Sequence, residues 1–187
     1  VYVDDARAAT HLGYGQLSDY VSFSPERHRL RILPAGIVFP ESELIDLHWQ
    51  KLEPGLDYTL ALVGVRKDLQ VAPLEDTASD PGPAHAQVRV LHASPDAPAL
   101  DVGMKGGPQL FLQVPLSEVT AYRQVPAGTV DIEFRRAGHA RVVTTLPGYT
   151  LVAGHLYTLV VLGRVQGHPP LAVLPVVQMA HECVPVR

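Results

Sequence analysis

The chain has 187 residues, a net charge of −4, and 47% hydrophobic against 18% charged residues. It is long enough for two domains of about 90 residues each and too hydrophobic to be intrinsically disordered. The negative charge gives no general attraction to nucleic acid or to anionic membranes, and no stretch reaches the roughly 18 consecutive apolar residues of a membrane-spanning helix.

Three blocks of sequence occur twice in the same order and with similar spacing, which predicts a duplicated domain. We call residues at equivalent positions of the two repeats twins. Seventeen Pro and 15 Gly separate many short segments, as in an all-β protein. The matching blocks are residues 12–36 with 114–138, 54–64 with 153–163, and 69–75 with 171–177.

Apolar and polar residues alternate along several short segments, which predicts β-strands with one buried face. Two segments, 58–63 and its twin 157–162, are apolar on both sides and are therefore predicted to be central strands. No window carries a helical period, so we expect at most a short helical turn at residues 15–20 and at its twin. The predicted strands are residues 27–33, 43–49, 58–63, 129–135 and 157–162.

The repeat also predicts the domain boundaries. Residues 1–76 form the first module and residues 88–178 the second. The linker between them, residues 77–87, is small, polar and contains proline. Residues 179–187 form an extended tail without a counterpart in the first module.

The opening of the second module, residues 88–102, reads VRVLHASPDAPALDV and has no counterpart in the first. An alternating run, a proline-rich turn and a second extended run predict a strand, a turn and a strand. The first module begins at Val1, in a sequence that corresponds to the end of this segment. We therefore expect the first module to lack its opening strand, which leaves unpaired backbone groups and an open apolar groove. Because Val1 is not Met, we also expect that a signal or other upstream segment was removed.

The opening segment and the downstream motifs LSEVTAY, VPAGTVDIEFR and AGHLYTLVVLG resemble the bacterial family of domains of unknown function numbered 4397. LHASPDAPALDV is the most specific motif and occurs once, whereas the first module shows only YGQLSDY, LPAG and PGLDYTLALVG. The resemblance implies an all-β fold of two tandem immunoglobulin-like or transthyretin-like antiparallel β-sandwich domains. It also implies an exported, extracellular or cell-surface protein. No catalytic residues are established for this family, so none is transferred.

Four polar residues at the opening segment are the best candidates for chemistry: His92, Ser94, Asp96 and Asp101. A serine hydrolase would also need an oxyanion donor and a nucleophile on a constrained elbow such as G-x-S-x-G, and neither motif is present. The alternative is a tight turn in which Pro95 fixes φ and the Ser and Asp side chains bond to local backbone N–H groups. We favour the turn and predict no catalytic residues.

No metal or cofactor site is predicted. His181 and Cys183 form the nearest approach to a zinc-ligand pair, and two ligands do not make a site. Asp4-Asp5 and the Asp96/Asp101 pair offer oxygen atoms for Ca²⁺, but there is no EF-hand loop. The nine histidines are His11, His28, His48, His85, His92, His139, His155, His168 and His181.

The remaining conspicuous side chains are interpreted as structural. A basic stretch places its three arginines on a solvated strand face, and without aromatic partners it does not predict nucleic-acid binding. The aromatic side chains before or within strands are expected in the core. Cys183 has no intramolecular partner and is interpreted as a free thiol, with an intermolecular disulfide left open. These residues are Arg27, His28, Arg29 and Arg31, then Tyr58, Tyr157 and Trp49.

We therefore expect a non-enzymatic structural or interaction protein of the cell surface. In the sharper form of this hypothesis, the first module accepts an extended segment from another chain, such as residues 184–186 or a segment removed from the front, and filaments result. The partner is then another copy or another envelope protein. Two alternatives stay open: the missing strand was merely truncated or disordered, or the sandwich-end loops bind an envelope carbohydrate or protein ligand.

Overall fold

The computed structural model describes residues 1–24, 26–36, 45–48, 53–65, 68–76 and 78–179. Within these ranges there is no helix, and hence none long and apolar enough to cross a membrane. The all-β prediction is confirmed. The strands are β1 (Tyr2–Val3), β2 (Ala6–Arg7), β3 (Arg29–Ile32), β4 (Ile45–His48), β5 (Tyr58–Val63), β6 (Gln70–Glu75), β7 (His85–His92), β8 (Leu100–Met104), β9 (Gln109–Val114), β10 (Arg123–Pro126), β11 (Gly128–Arg136), β12 (Val142–Leu151), β13 (His155–Leu162) and β14 (Ala172–Met179).

Strands β7 to β14 form a two-layer sandwich. One sheet has the order β10-β7-β13-β14 and the other β12-β11-β8-β9. Strict alternation along β11 turns Ile132 and Phe134 into the space between the sheets, where both are fully buried. The core of this sandwich consists of Ala86, Val88, Val90, Leu100, Val102, Leu110, Val114, Val125, Ile132, Phe134, Leu151, Tyr157, Leu159 and Val161.

Strands β1 to β6 form a smaller arrangement of the same kind. One sheet has the order β2-β1-β3-β4, and β5 pairs with β6 in a two-stranded sheet. The buried core contains Val3, Leu30, Ile32 and Ile45. Val71 of β6 packs against this core, so the two sheets face each other as in the second module.

The sequence repeat maps one module onto the other. β3 is the twin of β11, β5 of β13, and β6 of β14. β1 takes the place of β8, because β1 pairs with β3 as β8 pairs with β11. No strand of the described first module takes the place of β7.

The observed strands differ from the predicted ones mainly at their ends. Strand 58–63 has the predicted bounds, but among the described residues it pairs only with β6 and is not the central strand that we predicted. The strand predicted over 129–135 is extended by one residue at each end. The predicted helical turn at residues 15–20 is wrong, because the structure has only a turn at Tyr14 and Gly15 there. β7 begins at His85, so the segment between the modules is shorter than the predicted linker 77–87.

Candidate functional site

β7 is an inner strand of the second module, with a hydrogen-bonded neighbour on each side. It pairs on one side with β10 and on the other, in parallel, with β13. In this register Val88 lies opposite Tyr157 and Val90 opposite Leu159. Both valines are fully buried in the sandwich core. β7 therefore contributes two ladders of hydrogen bonds and part of the core.

In the first module the equivalent position is open. Within the described part of the chain, β5 pairs with β6 and with no other strand. Residues 21–24, the twin of β10, form no strand. Of the two strands that flank β7 in the second module, the first module thus has the twin of β13, which is β5, and no described residue pairs with the free edge of β5. We call this strand position, beside β5, the open slot.

Side-chain exposure along β5 gives the clearest sign of the open slot. Leu60 is 40% exposed and Leu62 is 44% exposed. Their twins Leu159 and Val161 are 0% exposed. The same sequence positions are therefore fully buried in one module and half in water in the other.

The other flank of the slot shows the same contrast. Phe23 is 38% exposed, whereas its twin Val125 in β10 is 2% exposed. Leu12 is exposed, whereas its twin Val114, in β9 of the facing sheet, is buried. Equivalent apolar residues are thus covered in the second module and exposed in the first, and exposed apolar residues of this kind are typical of a binding surface when they cluster.

The opposite face of the β5–β6 sheet is covered by the second module. Val63 and Leu74 form a buried cluster with Leu91, whose side chain leaves β7 on the face away from the sandwich core. Ala61 and Val160 pack against this cluster. The second module therefore covers the outer face of β5 at Ala61 and Val63, whereas the inner face and the free edge of β5 stay open.

A polar cluster lies beside these apolar contacts and joins the modules. The Arg89 guanidinium donates to the Asp76 carboxylate (2.5 Å) and to the Glu75 carbonyl (2.6 Å). It also donates to the Thr158 hydroxyl at 2.8 Å. Arg89 and Asp76 are both buried, and each charge has a partner of opposite sign. The Arg89 side chain therefore bonds to both modules at once.

The cluster contains twin residues from the two repeats. Asp76 accepts hydrogen bonds from Tyr20 (2.9 Å) and Thr59 (2.6 Å). The twin of Tyr20 is Tyr122, whose hydroxyl donates to Gln178, the twin of Asp76, at 3.3 Å. The Gln178 amide in turn donates to the Tyr20 hydroxyl at 2.7 Å. Equivalent polar faces of the two modules are therefore in contact with each other.

Sequence reasoning missed this cluster. The available signal was Arg89, a charged residue inside the otherwise apolar run VRVL, which requires a partner if the strand is central. The aligned tyrosines Tyr20 and Tyr122 were a second signal. Burial raises the pKa of Tyr122, which lies under the Arg89 guanidinium at 4.4 Å from the ring centre.

The candidate catalytic group does not form a catalytic arrangement. His92 and Ser94 are fully buried, and neither ring nitrogen of His92 has a hydrogen-bond partner among the described residues. Burial lowers the pKa of His92. Asp101 accepts from the N–H groups of Gln113 and Gly138, both at 2.8 Å. This arrangement orients Asp101 toward backbone donors rather than toward His92.

The hydrogen-bond partners of Asp96 differ from those predicted for the turn. Its carboxylate was predicted to bond to local backbone N–H groups. Instead it accepts from Val165 (2.8 Å) and Gln166 (3.0 Å), which follow β13. These N–H groups lower the pKa of Asp96. The turn at residues 95–96 is thus tied to a loop far along the chain.

The basic stretch and the Asp4-Asp5 pair bind each other. His28 bonds to Asp4 at 2.8 Å, and Arg31 pairs with Asp5 at 2.9 Å. Arg29 pairs with Asp46 at 2.6 Å. No group of three metal-ligating side chains occurs in the ranges that the structure describes. Trp49, His181, Cys183 and residues 184–186 lie outside those ranges.

The two aligned tyrosines at the start of the central strands have different surroundings. Tyr157 is buried in the core, and its hydroxyl accepts a hydrogen bond from the Val152 N–H at 2.8 Å. Tyr58 is only partly buried. The core interpretation therefore holds fully for Tyr157, and the difference between the twins again follows the open slot.

Comparison with known proteins agrees with the repeat. None of the curated proteins compared with the chain matches it. One protein family matches twice, over residues 1–103 and over residues 86–181. The two matches share residues 86–103, which include all of β7 except His85 and all of β8 except Met104. The chain therefore belongs to the family called domain of unknown function (DUF4397) and carries two overlapping tandem copies of it.

Proposed function

We propose that this protein is a non-enzymatic structural or interaction protein of the cell surface, and that its first module accepts an extended strand from another chain. The observation that carries the proposal is the exposure of Leu60 and Leu62, whose twins are completely buried against β7. Repeated strand addition between chains links them head to tail, and contacts of this kind that do not close produce a filament. The family resemblance supports the surface location.

The open slot offers both kinds of interaction that strand addition uses. The free edge of β5 presents backbone N–H and C=O groups, which a new strand can pair with. The inner face presents Leu60 and Leu62, and full burial of such a side chain contributes about 1.5–3 kcal/mol. An added strand thus gains affinity from the backbone and selectivity from the side chains.

The polar residues near the family motif support a structural role. Asp96 and Asp101 each accept two backbone hydrogen bonds, which hold loops in place. His92 is enclosed in the protein rather than aimed at a cleft. The two carboxylates therefore stabilise the sandwich, as is expected of an interaction module.

Light scattering coupled to size-exclusion chromatography tests the proposal. We expect the mass of the chain to rise with concentration and the Leu60→Asp variant to be monomeric, because a carboxylate in the open slot disfavours strand addition. Leu112→Asp is the matched control, since Leu112 is an exposed leucine on β9, in the other module. A monomer at every concentration, or equal association of the Leu60→Asp variant, overturns assembly by strand donation.

A further inference from the structure

The filled slot of the second module indicates which strand the open slot selects, and this inference rests on the proposed function. We infer that the incoming strand runs parallel to β5 and carries a cationic side chain, Arg or Lys, between two aliphatic ones. The aliphatic residues lie opposite Tyr58 and Leu60, and the cation lies opposite Thr59. The partner is thus an extended polypeptide segment of defined direction and pattern.

The direction and the aliphatic positions follow from the register of β7. β7 runs parallel to β13, with Val88 opposite Tyr157 and Val90 opposite Leu159. Tyr58 and Leu60 are the twins of these two β13 residues. A strand that covers the exposed Leu60 as Val90 covers Leu159 therefore needs an aliphatic side chain there and another two residues before it.

The cationic position follows from Arg89, which lies between the two valines and points to the opposite face. Arg89 faces Thr158 and lies over the Tyr122 ring. The twins of these two residues are Thr59 and Tyr20. Both twins are present in the first module, and the Tyr20 ring is largely exposed. Among the described cations, none lies over that ring.

The second module also supplies acceptors at this position. Arg89 bonds to the carboxylate of Asp76 and to the carbonyl of Glu75. Their twins are Gln178 and Val177, and Gln178 already bonds to Tyr20. An incoming cation opposite Thr59 therefore meets an aromatic ring, a hydroxyl and amide or carbonyl oxygens. This is the set of groups that Arg89 binds, with a neutral amide in place of the carboxylate.

On this pattern the tail segment Val184-Pro185-Val186 is a weak donor, so the chain should associate with itself more weakly than it binds a Val-Arg-Val segment. Its residue between the two valines is a proline, which has no cationic group. Proline also lacks the N–H that a strand bonded on both sides must donate. A segment with the pattern of residues 88–90, Val-Arg-Val, meets both requirements.

A synthetic peptide with the sequence of residues 84–97, fluorescently labelled and titrated with the full chain, tests the inference. We expect saturable binding that is lost in a Val90→Asp peptide. An Arg89→Gln peptide should bind about 10-fold more weakly, because hydrogen bonds to a charged group contribute more than neutral ones. In the chain, Leu60→Asp should abolish binding, and Leu112→Asp should leave it unchanged.

A double-mutant cycle isolates the cationic contact. Tyr20→Leu in the chain should weaken binding of the parent peptide but leave the affinity of the Arg89→Gln peptide almost unchanged. Equal binding of the parent and Arg89→Gln peptides overturns the inference, as does failure of the parent peptide to bind. In one such outcome, the parent peptide fails to bind while the chain still associates as its concentration rises and Leu60→Asp abolishes that association. In that case the proposed function is retained and only the strand selectivity is rejected. If the peptide binds as expected while the chain stays monomeric, the selectivity stands and filament assembly falls.

Discussion

Arg89 of the second module and Asp76 of the first form an ion pair at 2.5 Å, buried where the two modules meet. The pair is only 13 positions apart in sequence, yet Arg89 projects from a central strand, whereas Asp76 follows an edge strand of the other module. Arg89 also bonds to Thr158 and to the Glu75 carbonyl, and Asp76 also accepts from Tyr20 and Thr59, so the contact specifies how the faces meet.

Removing one partner of this pair should be costly. We expect Asp76→Ala to lower the free energy of unfolding by about 3–5 kcal/mol, because it leaves the buried Arg89 charge uncompensated. Urea unfolding followed by circular dichroism measures the loss. Asp5→Ala is the control, since its ion pair with Arg31 is solvent-exposed on the Asp5 side and should contribute little. Equal losses for the two variants would contradict the prediction.

Gly163 ends β13 in a conformation that only glycine adopts easily. Its φ is 88°, and a Cβ atom there would overlap the carbonyl oxygen of Pro170. Gly106 also has a positive φ, of 70°, but a Cβ there would meet no atom within 4 Å. We expect Gly106→Ala to lower the unfolding free energy by about 1–2 kcal/mol from backbone strain, and Gly163→Ala to lower it by more. Thermal unfolding of both variants separates strain from overlap, and equal losses would show that overlap is unimportant.

The interaction between His28 and Asp4 should make stability depend on pH. His28 bonds through one ring nitrogen to Asp4 and through the other to the Ser24 carbonyl, so both nitrogens donate when the ring is protonated. The Ser24 carbonyl and then Asp4 raise the pKa of His28, with Glu26 adding a smaller contribution. The Arg29 N–H and then His28 lower the pKa of Asp4.

The signs of these shifts define the window of greatest stability. The His28 contribution is complete below its ordinary pKa of about 6.5 and is lost as the pH rises through the raised value. The Asp4 contribution is present above about 3.9 and is lost as the pH falls through the lowered value. We therefore expect a His28→Gln variant to lose the decline in stability that the parent shows above about pH 6.5. An NMR titration that places the His28 pKa below its ordinary value would contradict this account.

His92 should be replaceable without loss of stability. Its ring is fully buried, and although the Pro115 and Val114 backbone groups lie close to it, neither nitrogen makes a hydrogen bond of normal geometry in the described structure. We expect His92→Leu to raise the unfolding free energy by about 1–3 kcal/mol, because a poorly paired polar group is removed from the interior. Burial lowers the pKa of His92, against the smaller opposing effect of those backbone groups, so the folded state favours the neutral ring. The gain should therefore be larger below about pH 6 than at neutral pH, where the unfolded chain is also neutral.

Urea unfolding of the His92→Leu variant at several pH values measures this gain. His155→Leu is a suitable comparison, since the His155 ring bonds to the Ala153 carbonyl at 3.0 Å and should lose that contact. A destabilised His92→Leu variant would show that the ring nitrogens have partners that stabilise the fold.

Local sequence patterns predicted the strands that either alternate clearly or form a short apolar run. Strand 58–63 was predicted at its observed bounds. β9 and β12 were not predicted, and both depart from regular pairing: β8–β9 and β11–β12 contain register shifts. β12 also includes Pro147 and Gly148, which interrupt the alternating pattern that sequence analysis detects.

The sequence by itself determined that the chain is all-β, that it is duplicated, and that the motif VRVLHASPDAPALDV occurs once among the 187 residues. Alternation and repeats are local or periodic features, so a linear reading detects them. Only the tertiary structure decided which faces of the modules meet, that Arg89 pairs with Asp76, and that Asp96 holds a loop 69 positions away. Those contacts depend on how two sheets pack in space. The alternation along a strand shows which side of the sheet a residue faces, but not which residues of another element it contacts there.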